Sequence, residues 1–248
     1  MTAEAVWQDV EFGAYAADLP LWDELAAAAK GPLLELGAGG GRVTLHLLAK
    51  GHPVFALDRD GEMCAELERR AQDMLDENGW FSTARIDFDE LSRRDALVPG
   101  TAPFGLAIAP LHVIQQVEPA SRPGLLSWLA KRLSGGGVLA ATLVDESSIL
   151  TDGRPAVPDM REIEGWVISS EPLWVQVGEE TLRVRRMRQR VSPAGEIERG
   201  VHDELLHRIS PEELEAEAGE AGFVPRERRP ITSGSDEADS IAVVLEAT

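Results

Sequence analysis

The stretch LLELGAGGGR, residues 33–42, opens with an apolar run broken by one acid and continues with four glycines in five positions. An apolar strand entering a loop without side chains, followed by the amphipathic segment RVTLHLLA, reads as a strand–loop–helix junction. Such a loop lets a ligand approach backbone N–H groups and the helix N-terminus, which suits a phosphate, a nucleoside or a dinucleotide. A phosphate-gripping loop needs Lys followed by Ser or Thr after its last glycine, and Arg42-Val43 stands there instead. The dinucleotide pattern is met at Gly37 and Gly39, but its third glycine is replaced by Arg42, whose side chain obstructs close helix-to-strand packing.

Outward from this junction, strand and helix signals alternate between about residues 18 and 144, the order of a mostly parallel sheet with helices on both faces. Asp18 is expected to cap a helix that ends at Gly31-Pro32. Strands are expected at Leu33–Leu36, Pro53–Leu57, Thr83–Ile86, Phe104–Ala109 and Val138–Val144, the last after the turn Ser134-Gly135-Gly136-Gly137. The intervening helices are read as Arg42–Lys50, a segment capped by Asp60 and running to about Glu77, and residues 120–133. After Asp145 the period changes to two. Three alternating runs, WVISSEPLWVQV, TLRVRRMRQRV and EIERGVHDELLH, predict an antiparallel insert. The pattern S-P-E-E at Ser210–Glu213 is a capping box with proline at the first helical position, and two further strands follow near Val224–Arg228 and Ile241–Leu245.

The chain has 248 residues, 44% apolar and 27% charged, enough for one sizeable domain with a modest insertion. No apolar run approaches the ~20 residues that span a bilayer, and the first basic residue is Lys30, so neither a membrane span nor a signal peptide is expected. Cys64 is the single cysteine; it can form neither an internal disulfide nor a four-thiolate metal site, and no metal site is expected. A cytoplasmic location is the expectation. The net charge of −19 repels phosphate backbones and anionic lipid surfaces, which argues against nucleic acid and membrane as partners.

Glu35 followed by Gly37-x-Gly39-x-Gly41 resembles motif I of the class I S-adenosylmethionine-dependent methyltransferases, E/D-x-G-x-G-x-G. Acidic Asp58 after the second strand, Asp87 in ARIDF, FGLAIAPLHVI at the fourth strand and LSGGGVLAATL at the fifth extend the resemblance in order. It covers residues 30–145 well and the last two strands loosely. It implies a doubly wound α/β fold with a mostly parallel seven-stranded sheet and a small antiparallel insert. It also implies S-adenosyl-L-methionine as cofactor. In layout it is similar to sugar-amine and glycine-type N-methyltransferases, which divides the chain into an N-terminal helical arm or lid (1–30), a cofactor domain (31–150 and 209–248) and a cover over the acceptor site (151–208).

The resemblance assigns roles residue by residue. Asp58 would accept from the ribose hydroxyls, with Arg59 beside it; Asp87 from the adenine amino group, with Met63, Ile86 and Phe88 on the ring faces. Glu35, Gly37, Ala38, Gly39 and Gly41 would form the loop around the methionine end, with Ala109 and Pro110 bordering it. Arg42 is either a partner of the cofactor's carboxylate or a solvated side chain. Gly105 departs from the acid frequent at that position, and Ala109-Pro110-Leu111-His112 departs from the motif of the nucleobase-amine enzymes.

On the acceptor side, His112 is the catalytic candidate, a base titrating near neutrality, with a hydrogen-bonded structural histidine as the alternative. Tyr15, the only tyrosine, is expected to help fix cofactor and acceptor, within an aromatic segment, Trp7–Trp22, that is either a lid or a static arm. Gln115 and Gln116 are read as ligand contacts or as an exposed helix turn. Trp166, Trp174 and Met187 are candidates for the pocket wall or for ordinary core. Alternation puts Arg186, Arg188 and Arg190 on one face, either to bind an anionic group or to balance Glu196, Glu198 and Asp203. The expected reaction is methyl transfer to nitrogen or oxygen of a small molecule, a secondary metabolite being one candidate, and a homodimer is left open. Two rivals stand beside it: a cofactor-binding cyclase or sensor of the same fold, and a nicotinamide-dependent oxidoreductase.

Overall fold

A computed structural model describes residues 3–72, 74, 80–89, 103–149, 157–233 and 238–248. Helices α1 (Ala3–Glu11) and α2 (Leu19–Ala28) lead into β1 (Leu33–Leu36), α3 (Arg42–Ala49), β2 (Val54–Asp58), α4 (Gly61–Gln72), β3 (Phe81–Arg85) and β4 (Phe104–Ala109). After β4 come α5 (Val113–Gln116), α6 (Arg122–Ala130) and β5 (Leu133–Val144). Four strands then form a separate antiparallel sheet, β6 (Asp159–Ile163), β7 (Trp166–Val177), β8 (Thr181–Val191) and β9 (Ile197–His207). Finally α7 (Pro211–Ala221), β10 (Phe223–Ile231) and β11 (Ser240–Ala247) complete the first sheet.

The seven-stranded sheet has the order β10-β11-β5-β4-β1-β2-β3, with β1 to β5 parallel and β11 antiparallel to both its neighbours. Strand order therefore reverses between β1 and β4, and ligands of open α/β sheets bind beyond the carboxyl ends of the strands at such a point. Strand period sorts the core onto two faces: Leu34 and Leu36 pack in one cluster, Leu33 in the other. On β4, Phe104 and Ala107 share the first cluster while Leu106 joins the second, because the register with β5 shifts at Gly105. A Cβ at Gly105 would lie 2.6 Å from the Lys30 carbonyl oxygen, so the close approach of the segment entering β1 excludes the acid found there in the similar family.

Several local expectations shift by the demands of pairing. β3 begins at Phe81, opposite Val54, and ends at Arg85, leaving Ile86 to turn into the core. Leu133 already pairs with Phe104, so the Ser134–Gly137 turn becomes an irregularity inside β5. Four strands, not three, form the insert, since Asp159–Ile163 pairs with β7. The helix foreseen over residues 120–133 is the shorter α6, with α5 ahead of it, and the helix end foreseen near Glu77 lies outside the described residues. Asp18 does not cap α2 through its side chain; its carboxylate instead accepts from Trp22 Nε1 at 2.8 Å and from Arg42. The capping box of α7 forms as read, with Ser210 and Glu213 bonded reciprocally.

Candidate functional site

Gly37, Gly39 and Gly41 all adopt positive φ in the loop between β1 and α3. A Cβ at Gly37 would lie 2.4 Å from Val113 Cγ2, so this position admits the segment after β4 only as glycine. The Ala38 amide donates to the Leu57 carbonyl and the Gly41 amide to that of Ala38, which ties the loop to β2. Asp58, the last residue of β2, accepts from the Gly39 amide at 2.8 Å through Oδ2 and from the Asp60 amide at 2.9 Å through Oδ1. Burial pushes its carboxyl upward despite these two donors. Glu35, wholly enclosed in β1, accepts the Thr44 hydroxyl, and burial raises it to about 8.

The loop faces an open cavity lined by Glu35, Gly37, Ala38, Gly40, Arg42, Asp58, Arg59, Phe88 and Pro110. The near wall belongs to α1. Gln8 Oε1 accepts from the Gly40 amide at 2.9 Å, and Asp9, Phe12 and Gly13 line the same space. Arg70 of α4 holds α1 there, with one nitrogen 2.7 Å from Asp9 and another 3.0 Å from the Gly40 carbonyl. Gln8 and Asp9 were invisible to motif reading because they act across more than twenty-five residues of chain on a loop that they merely cover.

Other expected cofactor contacts sit at or behind the cavity surface. Met63, Ile86 and Ala109 are buried in the core, and Gly39 and Gly41 shape the loop without lining the space. Asp87 is exposed and accepts from the Asp89 amide in a local turn, and it does not line the cavity. Arg42 lines the cavity and is not a solvated side chain. Its guanidinium forms a two-pronged pair with Asp18, at 2.6 and 2.7 Å, and donates to the Tyr15 carbonyl.

A second cavity lies between the end of β4 and the insert, and Tyr15 and His112 both line it. His112 holds φ 63° at the start of α5; its Nε2 lies 2.8 Å from Ser240 Oγ. Burial drives its pKa to about 4, so the neutral imidazole prevails at pH 7 in place of the near-neutral titration expected from the sequence. The insert supplies Pro172, Val175, Leu182, Val184, Arg186, Glu204 and Leu206. Phe12, Leu111 and Glu204 line both cavities, so the two spaces meet there.

The pocket wall differs from the sequence candidates, two of which alternation turns outward. Trp174 and Met187 stand on the opposite face of the insert, Trp174 stacking with Arg185, while Trp166 stacks with Arg190, and none of the three lines either cavity. Arg186 and Arg188 do not face solvent, and both are already paired within the chain. Arg188 binds Glu11 of α1 through two 2.8 Å bonds, and Arg186 bonds Ser170 and Asp159. Only the outer-face pair Arg185–Asp203 and the long contact Arg190–Glu198 follow the charge balance foreseen. Gln115 is buried, not an exposed turn, and its Oε1 accepts from the Val144 amide; Gln116 donates to Glu204.

Comparison with solved structures fits this arrangement. The CcbJ methyltransferase from Streptomyces caelestis is 20% identical, with TM-score 0.66 over 94% of each chain. CalS10, an amino pentose methyltransferase from Micromonospora echinaspora involved in calicheamicin biosynthesis and solved with S-adenosylmethionine bound, is 18% identical, with TM-score 0.71 over 99% of this chain and 96% of its own. An S-adenosylmethionine-dependent methyltransferase from Clostridium acetobutylicum is 13% identical, with TM-score 0.71 over 98% of this chain and 97% of its own. No family model and no curated protein sequence matches the chain. The fold is that of the class I S-adenosylmethionine-dependent methyltransferases, carrying the antiparallel insert. Among the described residues no helix is long and apolar enough to cross a membrane.

Proposed function

We propose that the chain transfers a methyl group from S-adenosylmethionine to a nitrogen or oxygen of a small molecule. The observation that carries this reading is the meeting of two cavities at Phe12, Leu111 and Glu204, one on the glycine loop and one apolar and walled by the insert. The first has the donor set for the cofactor. A carboxylate at the end of β2 suits ribose hydroxyls, Phe88 offers an aromatic face, and positive-φ glycines bring backbone within reach. When bound, the cofactor supplies a sulfonium methyl.

This chain's own residues then align two reactants, which alone contributes about 7–11 kcal/mol to lowering such barriers. Tyr15 and His112 belong to the acceptor side in this reading, and Asp58, Glu35 and the loop to the cofactor side. The neutral state of His112 leaves it able to take a proton, although weakly basic. The solved neighbours include enzymes named for amino pentose and sugar N-methylation, which supports a small secondary metabolite as acceptor here. The net charge of −19 speaks against a nucleic acid substrate.

Calorimetric titration with S-adenosylhomocysteine and with NAD tests the cofactor directly: the first should bind and the second should not. A screen of amine and alcohol acceptors for release of S-adenosylhomocysteine then tests transfer. Binding without turnover on any acceptor would favour a cofactor-binding cyclase or sensor instead.

A further inference from the structure

Of the three residues that both cavities share, two are apolar and the third is Glu204. It stands on β9 opposite Val184, at the junction of the glycine-loop cavity with a mostly apolar space walled by Val175, Leu182 and Leu206 and, among its polar residues, by Arg186. Its Oε1 accepts a hydrogen bond from Gln116 Nε2, at 3.1 Å. The positive groups facing it are largely committed elsewhere. Arg188 is paired with Glu11, and Arg186 with Asp159 and, at 3.6 Å, with Glu11. Arg59 is an exposed residue at the wall of the first cavity, and His112 in the second is bonded to Ser240.

A carboxylate in an apolar cavity is costly without a counter-charge, and a neutral alcohol offers it only an ordinary hydrogen bond. An ammonium group offers a charge-assisted one, roughly twice as strong. We propose that Glu204 is the acceptor-binding residue of the second cavity, receiving the ammonium group of an apolar amine at the mouth shared with the first. The proposal rests on the cofactor reading of the first cavity. It narrows the acceptor atom to nitrogen.

The chemistry balances at this position. The N–H bond of the ammonium breaks and its proton passes to a Glu204 carboxylate oxygen, which frees the nitrogen lone pair. That pair forms the new N–C bond, and the electrons of the broken C–S bond remain on the departing thioether sulfur. Desolvation, reinforced by the neighbouring Glu11 and opposed by Arg186, Arg59 and Arg188, holds the Glu204 carboxyl above its ordinary value, which favours proton acceptance.

The test uses benzylamine and benzyl alcohol as probes, titrated calorimetrically at pH 7 into the full chain, with and without saturating S-adenosylhomocysteine. Benzylamine should bind at least tenfold more tightly than the alcohol, and Glu204→Gln, which keeps the shape and the Gln116 contact, should abolish that preference. Glu204→Asp, which keeps the charge, should retain part of the preference for the amine. If the parent chain binds both probes equally, or if Glu204→Gln keeps the full preference for the amine, Glu204 is not the amine site. Failure of the parent chain to bind S-adenosylhomocysteine is a separate result that overturns the cofactor reading, and the acceptor role with it.

Discussion

Glu11 on the N-terminal helix and Arg188 on β8 are joined by two hydrogen bonds of 2.8 Å, with the glutamate almost wholly enclosed. Two residues earlier on the same helix, Asp9 pairs with Arg70 of α4. The helix is thus fastened to the insert on one side and to α4 on the other, over the glycine loop. Burial alone would raise the Glu11 carboxyl, but bonds from Arg188 and Ser170 outweigh it and hold it below its ordinary value.

Removing the carboxylate in Glu11→Ala leaves Arg188 enclosed with the longer contact to the half-exposed Glu4 and the face of Trp7, and breaking such a pair typically costs about 3–5 kcal/mol. Urea unfolding should report the loss, and amide exchange in α1 should accelerate relative to α6. Because the folded-state pKa of Glu11 is lowered, its contribution is complete above the ordinary carboxylate range and fades as pH falls below it. If α1 exchanges at the parent rate in the variant, the pair does not hold the helix.

Asp58→Ala removes the acceptor of the Gly39 and Asp60 amides as well as the carboxylate offered to the cavity. S-adenosylhomocysteine should bind about 1.5–3 kcal/mol more weakly, close to ten- to a hundredfold, from the loss of charge-assisted hydrogen bonds. An unchanged dissociation constant would take Asp58 out of the site.

Glu35 holds its proton in the folded chain up to about pH 8, whereas the ordinary value is 4.5. The folded state therefore binds this proton more tightly than the unfolded one, and stability declines as pH rises between those values, with the full penalty present above about 8. Glu35→Gln should flatten that decline while leaving stability at pH 4 little altered. Denaturant midpoints measured from pH 4 to 9 decide it; parallel curves for parent and variant would mean that Glu35 is ionised throughout.

His112 titrates near 4 in the folded chain. Protonation from about pH 6.5 downward is therefore favoured in the unfolded state, and the folded state loses stability as pH falls through that range towards 4. In catalysis, any acidic limb due to His112 should lie near 4 and not near neutrality. His112→Ala should slow turnover by no more than ~10²-fold, since general bases contribute 10²–10⁴-fold at best when well matched to the working pH. A limb near pH 6.5 that vanishes in the variant would contradict the desolvated, neutral imidazole.

What the sequence determined by itself was local. The run from Leu33 to Arg42 specifies strand, positive-φ loop and helix because glycines adopt those backbone angles without strain, and Ser210-Pro211-Glu212-Glu213 specifies a helix start because its donors and acceptors lie three residues apart. The period of the insert strands marked their extents almost to the residue. Period alone, however, does not say which face of a strand is inside. That choice, made by packing against α1, turned Trp174 and Met187 outward and brought Arg186 and Glu204 in. Charges followed the same logic: Arg188 had several carboxylates within its reach in composition, and tertiary proximity selected Glu11, 177 residues away. Contacts of such separation leave no spacing in the chain, so the pairing that closes α1 over the loop and the carboxylate shared by the two cavities were decided only when the insert folded back against the N-terminal helix.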